Sequence, residues 1–195
     1  MANENLTSET DHIKHSKNGA FLRSVFEVVQ LLVMALVLYF VIDSVIGRVR
    51  VQKISMEPTL MPGEILLVNK LAYKFSPIKH GDIITFHFPL EPELDYVKRV
   101  IGLPGDQVVV KAGQVIVSGK LLNEPYISAT PEYEGSWDVP EENLFVLGDN
   151  RNPSADSRVW GYVPIENVIG KAIAVYWPVN RIRALSTPDI FSLGE

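Results

Sequence analysis

The sequence predicts a mostly β fold, a body of antiparallel strands carried behind one N-terminal transmembrane helix. Three observations predict it. A single long apolar run lies near the N-terminus, the hydrophobic period changes from helical to two beyond it, and Gly- and Pro-containing turns separate the short β-branched runs that follow. The 195 residues suffice for one domain of ordinary size plus an appendage. A hydrophobic content of 47% is too high for a disordered chain, and 13 Gly with 13 Pro fit a turn-rich body. The formal charge of -5 supplies no concentrated positive field, which argues against a nucleic-acid partner. The absence of cysteine removes disulfides, thiol nucleophiles and Cys-ligated zinc.

Residues 1–23 are polar, with Glu4, Glu9 and Asp11 set against Lys14, Lys17 and Arg23, and read as a mobile tail. Residues 24–47 contain Val25, Phe26, Val28, Val29 and the run Leu31 to Ile42. As a helix they extend about 36 Å, more than the roughly 30 Å of a bilayer's hydrocarbon core. Their charges, Glu27 and Asp43, lie one near each end, where headgroups can solvate them. A buried core helix and a cleavable signal peptide are the alternatives. The long polar lead and the lack of an Ala-x-Ala site after Ile42 favour a permanent span. Basic residues do not orient it, since Lys14, Lys17 and Arg23 before the span face Arg48, Arg50 and Lys53 after it.

Residues 48–195 form the body. Strands are predicted at Arg48 to Ile54, Glu64 to Asn69, Asp82 to Phe88, Tyr96 to Leu103, Gln107 to Lys111, Gln114 to Val117, Leu144 to Leu147 and Lys171 to Trp177. Turns at Met61-Pro62-Gly63, His80-Gly81-Asp82 and Leu103-Pro104-Gly105-Asp106 separate them, and Ala112-Gly113 and Ser118-Gly119 fit tight hairpins. Glu132, Glu134, Asp138, Glu141 and Glu142, beside Gly135 and Pro140 with no basic residue among them, mark a solvated loop. The stretch after Pro178 is too short for another domain.

Familiar catalytic signatures are missing: there is no Gly-x-Ser-x-Gly elbow, no His-Glu-x-x-His and no Gly-rich phosphate loop. His80 and His87 fit partly buried, hydrogen-bonded residues better than a catalytic base, so a Ser-His-Asp triad has little support. Ser55 stands where an alternating strand stops and Glu57-Pro58 forces a turn, which would hold its hydroxyl on a stiff corner. A strand-end serine bonding its own turn fits the same position. Lys98 lies in a strand whose alternation puts Tyr96, Lys98 and Val100 on one face and Val97, Arg99 and Ile101 on the other. If one face packs on a core, one of the two cations points inward, and a lysine there has a lowered pKa that frees it to act as a base. An edge strand with both cations in water is the alternative. Residues 148–158, dense in Asp, Asn, Arg and Ser, read either as a functional loop or as an Asx/Ser turn with a surface ion pair.

Taken together, Ser55-Met56-Glu57-Pro58-Thr59-Leu60, Tyr96 to Asp106, and Gly148-Asp149-Asn150-Arg151 with Ser154-Ala155-Asp156-Ser157-Arg158 closely resemble the successive boxes of bacterial type I signal peptidases. The Gly81-Asp82 turn resembles a further box, and the likeness spans roughly Arg48 to Pro178. The resemblance implies a coiled antiparallel β-sheet catalytic domain in which Ser55 is the nucleophile and Lys98 the general base. It implies that Ser154 hydrogen-bonds and orients the lysine, that Asp156 and Arg158 form a supporting ion pair, and that Asp149 supports the site. The Ser55 backbone N–H would serve the oxyanion, with no metal and no organic cofactor. By the same likeness the tail is cytoplasmic, the span is a permanent anchor in membrane lipid, and the body lies on the outer face with its site near the membrane. The substrates would be exported preproteins with small-x-small cleavage sites, met near the protein-export translocon.

Two departures stand out. Many Gram-negative members have, two places before the nucleophile, a serine that assists the oxyanion hole, and this chain has Lys53 there. Many members read Asp-Asn where this chain has Asn152-Pro153, which alters the approach to Ser154. The competing functions are a membrane-tethered β interaction module, which needs no deprotonatable lysine, and a self-cleaving Ser-Lys regulator, which would carry a DNA-binding or partner domain.

Overall fold

The structure, a computed structural model, describes the backbone of residues 4–191 and side chains from Arg23 to Phe191. The chain divides into two compact units after Ser44. The first is α1, Glu4–Val45. The segment expected to be a mobile tail is therefore helical in its backbone from Glu4 on. No proline occurs before Pro58, and extending an existing helix costs far less than nucleating one, so nothing in that polar segment stops a helix propagating back from the apolar run. Arg23–Val45 is long and apolar enough to cross a membrane, and Phe26, Leu32, Met34 and Phe40 are exposed around it. The helix stops at Val45 instead of residue 47, because Ile46 and Gly47 pair with Asn69 and Val68 as the start of a strand.

Among the described residues the second unit contains twelve strands. They are β1 Ile46–Arg50, β2 Ile65–Asn69, β3 Ile83–Phe88, β4 Glu91–Gly102, β5 Gln107–Lys111, β6 Gln114–Val117, β7 Lys120–Leu121, β8 Gly135–Asp138, β9 Asn143–Leu147, β10 Val163–Pro164, β11 Val168–Trp177 and β12 Arg183–Ala184. Two one-turn helices accompany them, α2 Ala72–Phe75 and α3 Ser157–Trp160. One sheet runs β1-β2-β11-β3-β4-β9-β10 with β12 also on β11, a second runs β7-β6-β5-β8, and every pairing is antiparallel. The two predicted hairpins are present: Lys111 faces Gln114 and Val117 faces Lys120 across two-residue turns, in which Ala112, Gly113, Ser118 and Gly119 all take positive φ.

Two expectations are corrected. The acidic stretch Glu132–Glu142 is no plain solvated loop, because β8 lies within it and pairs with β5. Its acidic residues alternate with Tyr133, Trp137 and Val139, which turn toward the core while Glu132, Glu134 and Asp138 stay exposed. The strand expected to reach Ile54 ends at Arg50; Ile54–Met56 forms a 3-10 turn instead.

Three apolar cores flank the strands. One joins Ile101, Phe145 and Leu147 to Val108, Val110, Val115 and Val117 of the smaller sheet. A second gathers Leu66, Val68, Ala172 and Val175 around Met56 and Leu60. A third packs Ile84, Phe86, Val100 and Val146. Strand β4 lies between β3 and β9, with Val100 and Ile101 both 0% exposed although they point to opposite faces. It is thus a central strand, which rules out the edge-strand reading of Lys98.

Candidate active site

Ser55 sits in the 3-10 turn Ile54–Met56, entered from Lys53 in extended conformation and closed by a hydrogen bond from the Glu57 N–H to the Ile54 carbonyl. Met56 is 1% exposed and Leu60 is fully buried, so two apolar anchors hold the turn to the core from its C-terminal side. Burying each contributes roughly 1.5–3 kcal/mol. From the other side Asn150 grips the turn: its N–H donates to the Ser55 carbonyl at 3.1 Å and its Nδ2 to the Ile54 carbonyl at 3.1 Å. Ser55 is left half-buried with its hydroxyl free to meet β4.

Lys98 Nζ lies 2.5 Å from Ser55 Oγ. The sequence places these two residues 43 positions apart, and the fold joins them through β4 and the turn. Lys98 is 3% exposed, and its amine pKa is lowered from 10.5 to about 8. Burial is the main cause; Asp156 and Asp149 pull the value up, while Lys53 and Arg158 push it down. The Tyr96 ring flanks the amine, its centroid 5.9 Å from Lys98 Nζ and 5.3 Å from Lys53 Nζ. The expectation that one of the two adjacent cations points inward holds for Lys98, and Arg99 is buried as well, at 2% exposed. Arg99 donates to both carboxylate oxygens of Asp149 at 2.8 and 2.7 Å and to the Gly81 carbonyl at 2.8 Å, and stacks 3.9 Å from the Tyr126 ring centroid. A buried arginine with a fork of partners keeps its charge, whereas a buried lysine with one hydroxyl partner is free to lose it.

The loop after β9 supplies the rest. Asp156 is fully buried and accepts from Arg158 Nε at 2.6 Å, Arg158 Nη2 at 2.8 Å and the Gly148 N–H at 3.1 Å. Arg158 also donates to the carbonyls of Arg151 and Ser154, at 2.7 and 2.8 Å, and lies 3.8 Å from the Tyr133 ring centroid. The expected Asp156–Arg158 pair is thus present and ties the loop's ends together. Asp149 reaches Arg99 behind the dyad. Ser154 departs from expectation: it is 6% exposed, but among the described residues its Oγ has no hydrogen-bond partner, so the bond expected from it to Lys98 is not formed. Its side chain packs against Gly148, where an added Cβ would collide with Ser154 Oγ and the Ser55 carbonyl. That close approach is what a glycine at 148 permits.

Sequence reasoning overlooked three contributors. Asn150 and Arg99 stood inside quoted motifs without a role. Arg151, 1% exposed, makes a bidentate pair with Glu124 that joins the loop to a segment 27 residues away. His80 pairs with Asp106 at 2.7 Å and His87 with Asp95 at 3.1 Å, so neither is directed at Ser55. Among the described residues no cluster of His, Asp or Glu could hold a metal ion.

Comparison with known proteins gives a consistent picture. The sequence profile of the family described as Signal peptidase, peptidase S26, matches residues 25–177. A signal peptidase I of Leptolyngbya laminosa is 47% identical over 146 residues, covering 70% of this chain and 71% of that protein. A probable signal peptidase I-2 of Synechocystis sp. (strain PCC 6803) is 38% identical over 191 residues, covering 94% of this chain and 86% of that protein. A signal peptidase I of Bacillus caldolyticus is 43% identical over 142 residues, covering 65% and 77%.

Proposed function

This chain belongs to the signal peptidase family, peptidase S26, and from that premise we propose that Ser55 and Lys98 are the dyad with which it cuts preproteins. The enzyme is a membrane-anchored serine endopeptidase that removes signal peptides. The observation that carries the assignment is the 2.5 Å approach of a buried lysine amine to a hydroxyl held on a rigid turn.

The reaction runs without histidine. Neutral Lys98 takes the Ser55 hydroxyl proton as Oγ attacks the carbonyl carbon at the cleavage site, and the Ser55 backbone N–H stabilises the oxyanion. The tetrahedral intermediate collapses, the C–N bond breaks, and the Lys98 ammonium returns the proton to the departing amine of the mature protein. Lys98 then deprotonates a water that attacks the acyl-enzyme, freeing the signal peptide's carboxylate and restoring Ser55. Asp156 with Arg158, and Asp149 with Arg99, hold the loop and β4 in register. Ser154 lies in the same loop, its carbonyl bound by Arg158 and its side chain against Gly148.

In this reading the residues before Arg23 are cytoplasmic, Arg23–Val45 span the cell membrane, and the body from Ile46 onward acts on its outer face, near the translocon, on small-x-small sites of preproteins held in the lipid. Protease added to intact spheroplasts should digest the body and spare the tail; a protected body would reverse the orientation. The dyad is tested with the detergent-solubilised protein and a labelled preprotein: Lys98→Met and Lys98→Arg should both abolish cleavage, the second because guanidinium stays charged. Cleavage by Lys98→Met near the wild-type rate would sink the assignment.

A further inference from the structure

Of the charged groups that act on the Lys98 amine, Asp156 and Arg158 are locked in one ion pair and Asp149 in another with Arg99. Lys53 is different. Among the described residues no carboxylate pairs with it, it is exposed, and it stands in extended conformation at the entrance of the turn that carries Ser55. Its ammonium lies 5.3 Å from the Tyr96 ring centroid, and the Lys98 amine lies 5.9 Å from the same point. The two nitrogens are therefore at most about 11 Å apart, close to one Debye length at physiological salt, and a substrate covering the site would remove part of the intervening water.

The difficulty this resolves is one of sign. Two carboxylates, Asp156 and Asp149, act on Lys98, and each favours an ammonium. A base must be neutral. We infer that Lys53 is a positioning residue for the dyad: its ammonium, held beside Tyr96, opposes the pull of Asp149 and Asp156 and biases the Lys98 amine toward the form that accepts the Ser55 proton. The inference rests on the dyad assigned above. Burial is the larger influence, and Lys53 is the unpaired cation among the smaller ones. Arg158, the other cation acting in the same direction, is already committed to Asp156 and to two loop carbonyls.

The test is the pH dependence of kcat/KM for cleavage of a labelled preprotein by the full-length enzyme in detergent, for wild type, Lys53→Met and Lys53→Arg at low and high salt. Lys53→Met should move the acidic limb up by about half a pH unit, a loss of about threefold near neutral pH. Lys53→Arg, which keeps the charge, should follow the wild-type curve, and high salt should narrow the gap between Met and wild type. Coincident limbs for wild type and Lys53→Met overturn the inference, as does a shift shared by Lys53→Arg or one indifferent to salt. Lys98→Met assayed in parallel separates the two levels. If it is inactive, such a result removes only the role of Lys53; if it is active, the dyad itself is lost.

Discussion

At Lys98 function is set against stability. Its amine titrates at about 8 in the folded protein, chiefly because burial disfavours the charge, against 10.5 for the free side chain. A cationic group with a lowered folded value opposes folding wherever the unfolded chain is protonated. The penalty, about 3 kcal/mol, is complete below pH 8 and fades as pH rises from 8 to 10.5. Lys98→Met keeps the length of the side chain and removes the charge. The inactive variant should therefore resist urea better than wild type at pH 7, by up to about 3 kcal/mol, with the advantage shrinking above pH 8. A Lys98→Met protein less stable than wild type at pH 7 would mean that the amine is held as a partnered ammonium. Ser154 makes the complementary point: the chain's motif identified the residue and its place in the loop wall, but which atom its hydroxyl meets depends on loop conformation, and Asn152-Pro153 just before it departs from the family pattern.

Among the elements, the 3-10 turn Ile54–Met56 is held between the core and the loop after β9. Gly148 is the closest point of that contact, where a methyl group would meet the Ser55 carbonyl and Ser154. Neither neighbour can yield easily, since Ser55 belongs to the anchored turn and the Ser154 carbonyl is bound to Arg158. Gly148→Ala should push the turn away from Lys98 and lower kcat on the order of 10²-fold with a smaller change in KM, because a displacement of about 1 Å is enough to lose the near-attack geometry. Unaltered kcat in a folded Gly148→Ala enzyme would show that the turn tolerates the shift. Most of this framework was legible beforehand. The long strands carry their own period, the hairpins their own turn residues, and the dyad its motif. Strands such as β7, β10 and β12, two residues each, offer no window in which a period can show. The ion pairs Arg99–Asp149 and Arg183–Glu64 join residues 50 and 119 positions apart, a relation that only the folded sheet creates.

At the scale of the whole molecule, the three cores of the body draw, among the described residues, on positions from Val49 to Phe191. The C-terminal segment, which lies outside the motif resemblance, contributes Leu185, Ile190 and Phe191 to them. Ile190 is 1% exposed in one core. Thr187 bonds Asp82 at 2.6 Å beside Lys171, and Arg183 binds Glu64 through both oxygens at 2.8 Å and the Thr59 carbonyl at 2.6 Å. Glu64 is 1% exposed; burial, the largest single influence, pushes its pKa up, but the hydrogen bonds from Arg183 and the Met61 N–H and the charges of Arg183 and Arg181 together hold it below the usual carboxylate value. Two truncations should therefore behave in opposite ways. A protein beginning at Val45 retains every strand and should show the urea midpoint of the full chain's body. A protein ending at Arg181 would leave the Glu64 carboxylate buried without its main partner and Ile190's site empty. Breaking a buried pair alone costs about 3–5 kcal/mol, so this protein should unfold at markedly lower urea, and more so above the Glu64 pKa than below it, where the orphaned carboxyl can take up a proton. Because Arg183 ties Thr59 and Glu64 to the segment following Ser55, cleavage should fail in it before global unfolding does. Equal urea midpoints for the full chain and the protein ending at Arg181 would show that the C-terminal segment rests on the body without stabilising it.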